Sequence, residues 1–183
     1  MLVIDMQVGM LEGETPVKDV DGVVHRINQL TRALRAAGDI VIFIQHWGPE
    51  EDLFAPNSPG CEILPSLVRS ERDLVVSKTA CDAFCNTELQ SVLNQHDITE
   101  ILIAGWATDF CVDTTIRAAA RLSYSISVVS DAHTCADRPH LTAAAIIQHH
   151  NLTWVDLIVP GAPVCVVSAD KMLKNLTGSP HTA

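Results

Sequence analysis

The sequence has few aromatic residues, a deficit of basic residues and no long uninterrupted apolar segment. Aromatic residues make up 4% of the chain, although 48% of it is hydrophobic. The core must therefore be filled mainly by Val, Ile, Leu and Ala, as is typical where helices cover a buried sheet. This composition favours an α/β protein.

The shortage of positive charge excludes several classes of partner. The chain has 12 Lys and Arg against 22 Asp and Glu, a formal net charge of -10. A protein that neutralises phosphates needs clustered Lys and Arg, so we expect neither nucleic acid nor an anionic membrane as partner. No apolar run approaches the ~20 residues of a membrane helix, and the first residues, MLVIDMQ, lack the features of a signal peptide. We therefore expect a cytoplasmic protein.

The cysteines do not follow a metal-binding or disulfide pattern. There are six of them and no Cys-x-x-Cys pair; they are Cys61, Cys81, Cys85, Cys111, Cys135 and Cys165. Disulfides are rare in core-forming cytoplasmic proteins, and no paired cysteines with nearby histidines complete a zinc shell. We expect free thiols and no metal site.

The chain length and the order of apolar segments predict one α/β domain. With 183 residues, the chain fits a single domain, with a core over about 2–157 and a tail over 158–183. The patterns predict strands at 2–6, 40–45, 73–77, 101–104, 125–130 and 152–157, and helices at 20–37, 61–68, 87–94, 111–121, 141–149 and 168–176. A long loop is predicted at 46–60. This alternation predicts a three-layer α/β/α, Rossmann-like fold with a mostly parallel six-stranded sheet.

Three reactive side chains come at or near strand ends, where ligands bind in such sheets. Asp5 interrupts the apolar strand LVIDMQ, and a buried carboxylate there needs a cation or a proton. Lys78 directly follows the strand DLVVS and could supply that cation. Cys111 is predicted near the start of a helix, where the helix dipole can lower a thiol pKa.

Each of these residues also has a structural interpretation. A lone Asp in a strand is more often a hydrogen-bonded structural residue, a lone Lys is usually solvated, and a free Cys is usually a small core residue. Their common location at the carboxyl ends of neighbouring strands favours a catalytic site instead.

The motifs around these residues resemble those of the isochorismatase-like cysteine hydrolases, which include nicotinamidases, N-carbamoylsarcosine amidases, ureidoacrylate and biuret amidohydrolases, and isochorismatases. The resemblance covers about residues 2–157. Four segments carry it: LVIDMQ (2–7), KTACDAFCNTEL (78–89), GWATDFCVDTTIRAA (105–119) and VVSDAHT (128–134).

The resemblance implies a role for each of these residues. Asp5 would be the general base, Lys78 the cation beside it, and Cys111 the nucleophile that attacks a C–N bond of a small molecule through a thioester. It also implies a cis peptide at Trp106-Ala107, and an oxyanion hole formed by the N–H groups of Ala107 and Cys111. This chemistry needs no cofactor.

Substrate-binding residues are predicted less directly. The resemblance places Trp47, Phe84 and Trp106 around the pocket, where they would suit a small planar or apolar substrate, although packing alone could explain Trp47 and Phe84. Gln7 could hold Asp5 or the substrate through its amide. His46 lacks the Asp partner of the metal-binding Asp-x-His pair of nicotinamidases, which favours a metal-free site.

Alternative functions remain open at this point. One is hydrolysis of a vinyl ether, as in isochorismatases, where attack by a cysteine is not required. Another is a fold member that binds a small ligand without turnover. Members of this family commonly form dimers or tetramers, so we expect a homo-oligomer.

Overall fold

A computed structural model describes residues 1–178. Six parallel strands form one sheet in the order β3-β2-β1-β4-β5-β6. The strands are β1 (Leu2–Ile4), β2 (Ile42–His46), β3 (Leu74–Lys78), β4 (Glu100–Trp106), β5 (Ser125–Thr134) and β6 (Cys165–Val167). From the centre of the sheet, β1, β2 and β3 follow one another toward one edge, and β4, β5 and β6 toward the other, as in doubly wound folds.

Five helices cover the two faces of the sheet within the described residues. They are α1 (Val20–Ala37), α2 (Leu89–Gln95), α3 (Asp113–Arg121), α4 (Ala143–Val155) and α5 (Ala169–Gly178). Apolar side chains of α1 and α5 pack on one face, and those of α2, α3 and α4 pack on the other. The predicted three-layer α/β/α architecture with a parallel six-stranded sheet is confirmed.

Strand β1 shows why its apolar residues occupy the centre of the sheet. All three of its residues are buried, because helices cover both faces. Leu2 and Ile4 point into the α2/α3 side of the core, whereas Val3 points into the α1/α5 side. Because successive side chains of a strand point to opposite faces of the sheet, this one short strand contributes apolar residues to the core on both sides.

The prediction of a strand at 152–157 is wrong. Helix α4 runs through to Val155, and the sixth strand is β6. The residues of α4 that are buried, Ala143, Ile146 and Trp154, recur at helical spacing, and Thr142 caps the helix by accepting a hydrogen bond from Ala145 N at 3.2 Å. Burial of Trp154, which falls within the predicted strand, stabilises the longer helix.

The segment after 157 belongs to the sheet and is not a separate tail. Strand β6 pairs with β5, and α5 packs against the same core as α1. The predicted tail therefore packs on its own domain, up to residue 178. Residues 179–183 lie outside the described residues.

The predicted helix at 61–68 is also absent from the structure. A short 3-10 turn, Pro59–Cys61, is followed by irregular chain. The Cys61 carbonyl accepts hydrogen bonds from the side chains of Gln7 and Gln45, both at 2.8 Å, and Pro65 lacks the N–H that a helix would need.

Between residues 1 and 178 no helix has both the length and the apolar composition required to cross a bilayer.

Candidate active site

The three predicted catalytic residues come from three different parts of the sheet edge. Asp5 directly follows β1 and has a positive φ of 47°, a conformation that Asp tolerates better than most residues. Lys78 is the last residue of β3. Cys111 lies in a π-helical turn, Thr108–Val112, that joins β4 to α3. Such turns occur frequently at functional sites.

These three side chains converge on one point. Lys78 Nζ lies 2.6 Å from Asp5 Oδ2 and donates a hydrogen bond to Cys111 Sγ at 3.4 Å. A third bond from Nζ reaches the Ala80 carbonyl at 2.9 Å. The ammonium group is thus held between the carboxylate and the thiol.

The strand order explains why a lysine fills this position. Strands β3 and β1 are separated by β2, so their backbones lie about 10 Å apart at the usual strand spacing. Only a long side chain can cross this gap from the end of β3. The flexible stem of Lys78 does so while its charged end stays fully buried against Asp5.

Burial and charge act in opposite directions on the Asp5–Lys78 pair. Burial raises the pKa of Asp5 above the usual range, and the positive charge of Lys78 only partly offsets this effect. Burial lowers the pKa of Lys78, but the charges of Asp5 and Cys111 outweigh it, so its pKa is raised overall. The lysine therefore stays an ammonium, and the carboxylate is a stronger base than an exposed aspartate.

The expectation that a helix start lowers the Cys111 pKa is wrong. Burial raises the pKa of this thiol, the negative charge of Asp5 raises it further, and Lys78 opposes both effects without cancelling them. The sulfur lies in the turn before α3 and is buried, so desolvation is the largest effect on its pKa. The thiol keeps its proton at neutral pH and needs a base.

The chain between β4 and Cys111 has an unusual backbone. The Trp106-Ala107 peptide bond is cis, at the position that the family resemblance implies. The Ala107 carbonyl accepts hydrogen bonds from the N–H groups of Phe110 and Val112, both at 3.1 Å. These bonds fold the chain tightly around Cys111.

A cavity of about 350 Å³ is lined by two of the predicted catalytic residues, Asp5 and Cys111. Aromatic rings form much of its wall. Phe54 stacks on Trp106 with ring centres 6.2 Å apart, and His46 meets Phe54 edge-on at 5.8 Å. The lining residues are Asp5, His46, Asp52, Phe54, Cys81, Trp106, Ala107, Phe110, Cys111 and Arg138.

Two ring nitrogens in this wall have no hydrogen-bond partner within residues 1–178. They are His46 Nδ1 and Trp106 Nε1, and both atoms are buried. Burial lowers the pKa of His46 and the nearby Lys78 lowers it further, so the imidazole is neutral. A ligand group could satisfy both nitrogens.

One rim of the cavity is formed by an anchored arginine. Both Asp109 oxygens accept hydrogen bonds from Arg138, at 2.8 and 2.9 Å. The guanidinium also lies 4.9 Å from the centre of the Phe110 ring. These contacts fix the rim directly beside the turn that carries Cys111.

Of the predicted substrate-binding residues, the structure brings only Trp106 to the cavity wall. Gln7 is fully buried, and its amide is bonded to the backbone of His46 and Cys61. Phe84 stacks on Tyr124 at 5.7 Å, against the core. Trp47 is 40% exposed and lies outside the lining. Hydrogen bonds to the backbone account for the position of Gln7, and core packing accounts for that of Phe84.

Several wall residues were not singled out from the sequence. Phe110 directly precedes Cys111, which was an available signal for a wall position. Arg138 follows the end of β5, so its place at the active edge of the sheet could also have been inferred. Phe54 and Asp52 lie in the long loop at 46–60, whose course no sequence pattern specifies.

Comparison with known proteins gives consistent matches. The Isochorismatase domain model matches residues 1–156. The chain is 32% identical to streptothricin hydrolase of Streptomyces noursei over 139 residues, which are 76% of this chain and 55% of that protein. The chain thus spans about half the length of this relative.

Solved structures support the same grouping. An isochorismatase family protein is 32% identical, with a TM-score of 0.82, over 91% of this chain and 96% of its own. A cysteine hydrolase from Pseudomonas syringae pv. phaseolicola is 26% identical, with a TM-score of 0.85, over 97% of this chain and 91% of its own.

Proposed function

The chain belongs to the isochorismatase family of hydrolases, and from this premise we propose that it cleaves a C–N bond of a small amide or ureide with Cys111 as nucleophile. The observation that carries the proposal is the position of Lys78 Nζ, 2.6 Å from Asp5 Oδ2 and 3.4 Å from Cys111 Sγ. Base, cation and thiol are then the three parts of one nucleophilic centre.

The reaction begins with transfer of the thiol proton from Cys111 to Asp5. The raised pKa of the thiol makes this step necessary, and the raised pKa of Asp5 suits the carboxylate to accept the proton. Lys78 remains charged and stabilises the thiolate through its contact with Sγ. Because the proton moves within the centre, the net charge does not change, and Lys78 contacts the group that carries the negative charge both before and after the transfer.

The thiolate then attacks the substrate carbonyl and forms a tetrahedral oxyanion. The N–H groups of Ala107 and Cys111, both in the cavity wall, are the candidate oxyanion donors. The C–N bond breaks, and the amine or ammonia leaves with the proton from Asp5. Asp5 then takes a proton from a water molecule, and the resulting hydroxide displaces the Cys111 thiolate from the thioester. Asp5 finally returns the proton to the sulfur.

Acyl chemistry fits this site better than hydrolysis of a vinyl ether. A thiolate needs an electrophilic carbonyl carbon, which a vinyl ether lacks, whereas amides and ureides provide one. The aromatic wall suits a small planar group, and the unpartnered nitrogens of His46 and Trp106 suit a polar edge on that group.

A substrate panel tests the proposal. Small amides, ureides and nicotinamide are incubated with the protein, and release of ammonia or amine is measured. We expect turnover of at least one substrate and a loss of about 10⁴-fold or more in Cys111→Ala, because removal of a nucleophile leaves only residual binding effects. Cys165→Ala, at an exposed position on β6, is the matched control and retains activity.

Mass spectrometry distinguishes catalysis from simple binding. Rapid acid quench during turnover should trap the thioester intermediate. The peptide that contains Cys111 should then carry the additional mass of the acyl group. Equal ammonia release by wild type and Cys111→Ala would exclude Cys111 as nucleophile. Substrate binding without turnover or adduct would support a non-catalytic member of the fold.

A further inference from the structure

The turn that carries Cys111, Thr108–Val112, is called the nucleophile turn below. It is held by hydrogen bonds on the side away from the cavity. Thr108, its first residue, is fully buried, and its Oγ1 lies 2.9 Å from His133 Nδ1. His133 is in β5 and is 1% exposed. On its other side, His133 Nε2 lies 3.0 Å from Asn151 Oδ1, on α4. A hydrogen-bonded chain therefore connects the turn to the neighbouring strand and helix.

The direction of each hydrogen bond in this chain can be deduced. Asn151 Nδ2 donates to the Ser130 carbonyl at 2.9 Å, so its Oδ1 is the atom that faces His133 and can only accept. His133 Nε2 must then carry the hydrogen, and Nδ1 accepts from the Thr108 hydroxyl. Burial lowers the pKa of His133 to about 4, which keeps this neutral tautomer at ordinary pH.

A second contact holds the other end of the turn. Asp113 directly follows the turn, and its Oδ1 accepts a hydrogen bond from Trp154 Nε1 at 2.8 Å. Trp154 is fully buried, and its ring meets His133 edge-on with centres 5.0 Å apart. The residues on either side of Cys111 are thus bonded to two rings that pack on each other.

We propose that His133, Asn151 and Trp154 form a positioning clamp that holds Cys111 Sγ in register with Lys78 and the oxyanion donors. This inference rests on the proposed function of Cys111. None of the three residues lines the cavity above the catalytic centre, so they act through the turn and not on the substrate. A displacement of about 1 Å at a reacting atom can cost about 100-fold in rate, which is why such a clamp matters.

Substitution of Thr108 tests the clamp with little change of shape. Thr108→Val removes the hydroxyl donor and leaves His133 Nδ1 without a partner, whereas Thr108→Ser restores the donor. We expect kcat to fall about 10- to 100-fold in Thr108→Val with KM within about twofold, and Thr108→Ser to recover most of the loss. Thr31→Val is the matched control, because Thr31 is another fully buried threonine, and its hydroxyl donates to the Asn28 carbonyl within α1.

Comparison of alkylation rates at buried cysteines distinguishes a misplaced Cys111 sulfur from a general loss of packing in the domain. In Thr108→Val, alkylation of Cys111 by iodoacetamide should slow, because the sulfur loses its alignment with Lys78 and Asp5. Cys61, which is also buried and is bonded to Gln7, should react at the wild-type rate. Cys135 is no control here, because the Thr108 side chain hydrogen-bonds to it. This comparison needs no substrate, so it tests the clamp even where the panel yields no turnover and the proposed function fails.

Two results would overturn the clamp. One is a wild-type kcat in folded Thr108→Val, and the other is faster alkylation of Cys61 as well as Cys111, which would indicate loss of structure alone. If Thr108→Val does not fold, Asn151→Leu interrupts the same chain at its far end, by removing the acceptor for His133 Nε2. It should reproduce the selective loss of kcat, and a folded Asn151→Leu with unchanged kcat would equally exclude the proposal.

Discussion

Asp5 is placed in two opposing environments, a dry interior that disfavours its charge and an ammonium group that favours it. Burial is the larger effect, so its pKa is raised above the usual range even with Lys78 at 2.6 Å. A base must be unprotonated before it can accept a proton from the thiol. The acid side of the activity profile should therefore report the ionisation of Asp5.

We predict that kcat/KM falls as the pH decreases through the raised pKa of Asp5, with a midpoint above the ~3.9 of an ordinary aspartate. The sign follows because protonated Asp5 cannot act as base. In Lys78→Gln the residual activity should have its midpoint at still higher pH, since the charge that lowers the pKa is removed. The measurement is kcat/KM across the acidic and neutral pH range.

Arg35→Gln serves as the control for this profile. It removes the ion pair between α1 and Asp73, at 2.7 Å, and leaves the Asp5–Lys78 contact intact. Its midpoint should match that of the wild type. An acid midpoint that is unaffected by loss of Lys78 would exclude Asp5 as the titrating base.

At this scale, the sequence predicted charged residues better than the residues that surround them. Asp5 and Lys78 stand out because charge at the end of an apolar strand demands a partner. The directions of Gln7, Trp47 and Phe84 depend on loop and core packing, which no local pattern encodes. The amide of Gln7, for example, is bonded to backbone groups of residues 46 and 61, which become its neighbours only after folding.

At the scale of elements, the first five strands were predictable from short apolar runs, and the sixth was not. Residues 152–157 are apolar enough for a strand, but Trp154 packs on His133 and bonds to Asp113, and this tertiary contact extends α4. The real β6, Cys165–Val167, has only three residues. Its pairing with β5 is decided by the fold and not by its own sequence.

The close pairing of β1 with β4 depends on Gly105, which lies opposite Ile4. This residue has φ of +129°, and an added Cβ would lie 2.1 Å from the Ile4 carbonyl oxygen. Gly105→Ala should therefore cost about 3 kcal/mol or more of unfolding free energy, because both the backbone conformation and the strand contact are incompatible with a side chain. Urea unfolding measures the loss.

Gly38 provides the matched control, since it also has a positive φ, +87°, but a Cβ added there would meet no other atom within 4 Å. Gly38→Ala should cost about 1 kcal/mol, the conformational part alone. The difference between the two variants isolates the steric effect. Equal losses in both would show that close approach of β1 and β4 is not the reason for Gly105.

At the scale of the whole molecule, the same buried histidine that backs the nucleophile turn couples global stability to pH. His133 is 1% exposed and joins β5 to α4 and to the turn. Its pKa is lowered from 6.5 to about 4 by burial. An unfolded chain takes up a proton on this imidazole near pH 6.5, whereas the folded chain does so only near pH 4.

We predict that this difference removes about 3 kcal/mol of unfolding free energy as the pH falls from about 7 to about 4, because the unfolded state binds the proton first throughout that window. In His133→Gln the starting stability is lower, but the decline over the same pH range should be smaller by about that amount. Urea unfolding at half-unit pH steps gives both curves. If the two curves run parallel across this range, the imidazole is not the group that links stability to acidity, and the neutral His133 inferred from its hydrogen bonds is incorrect.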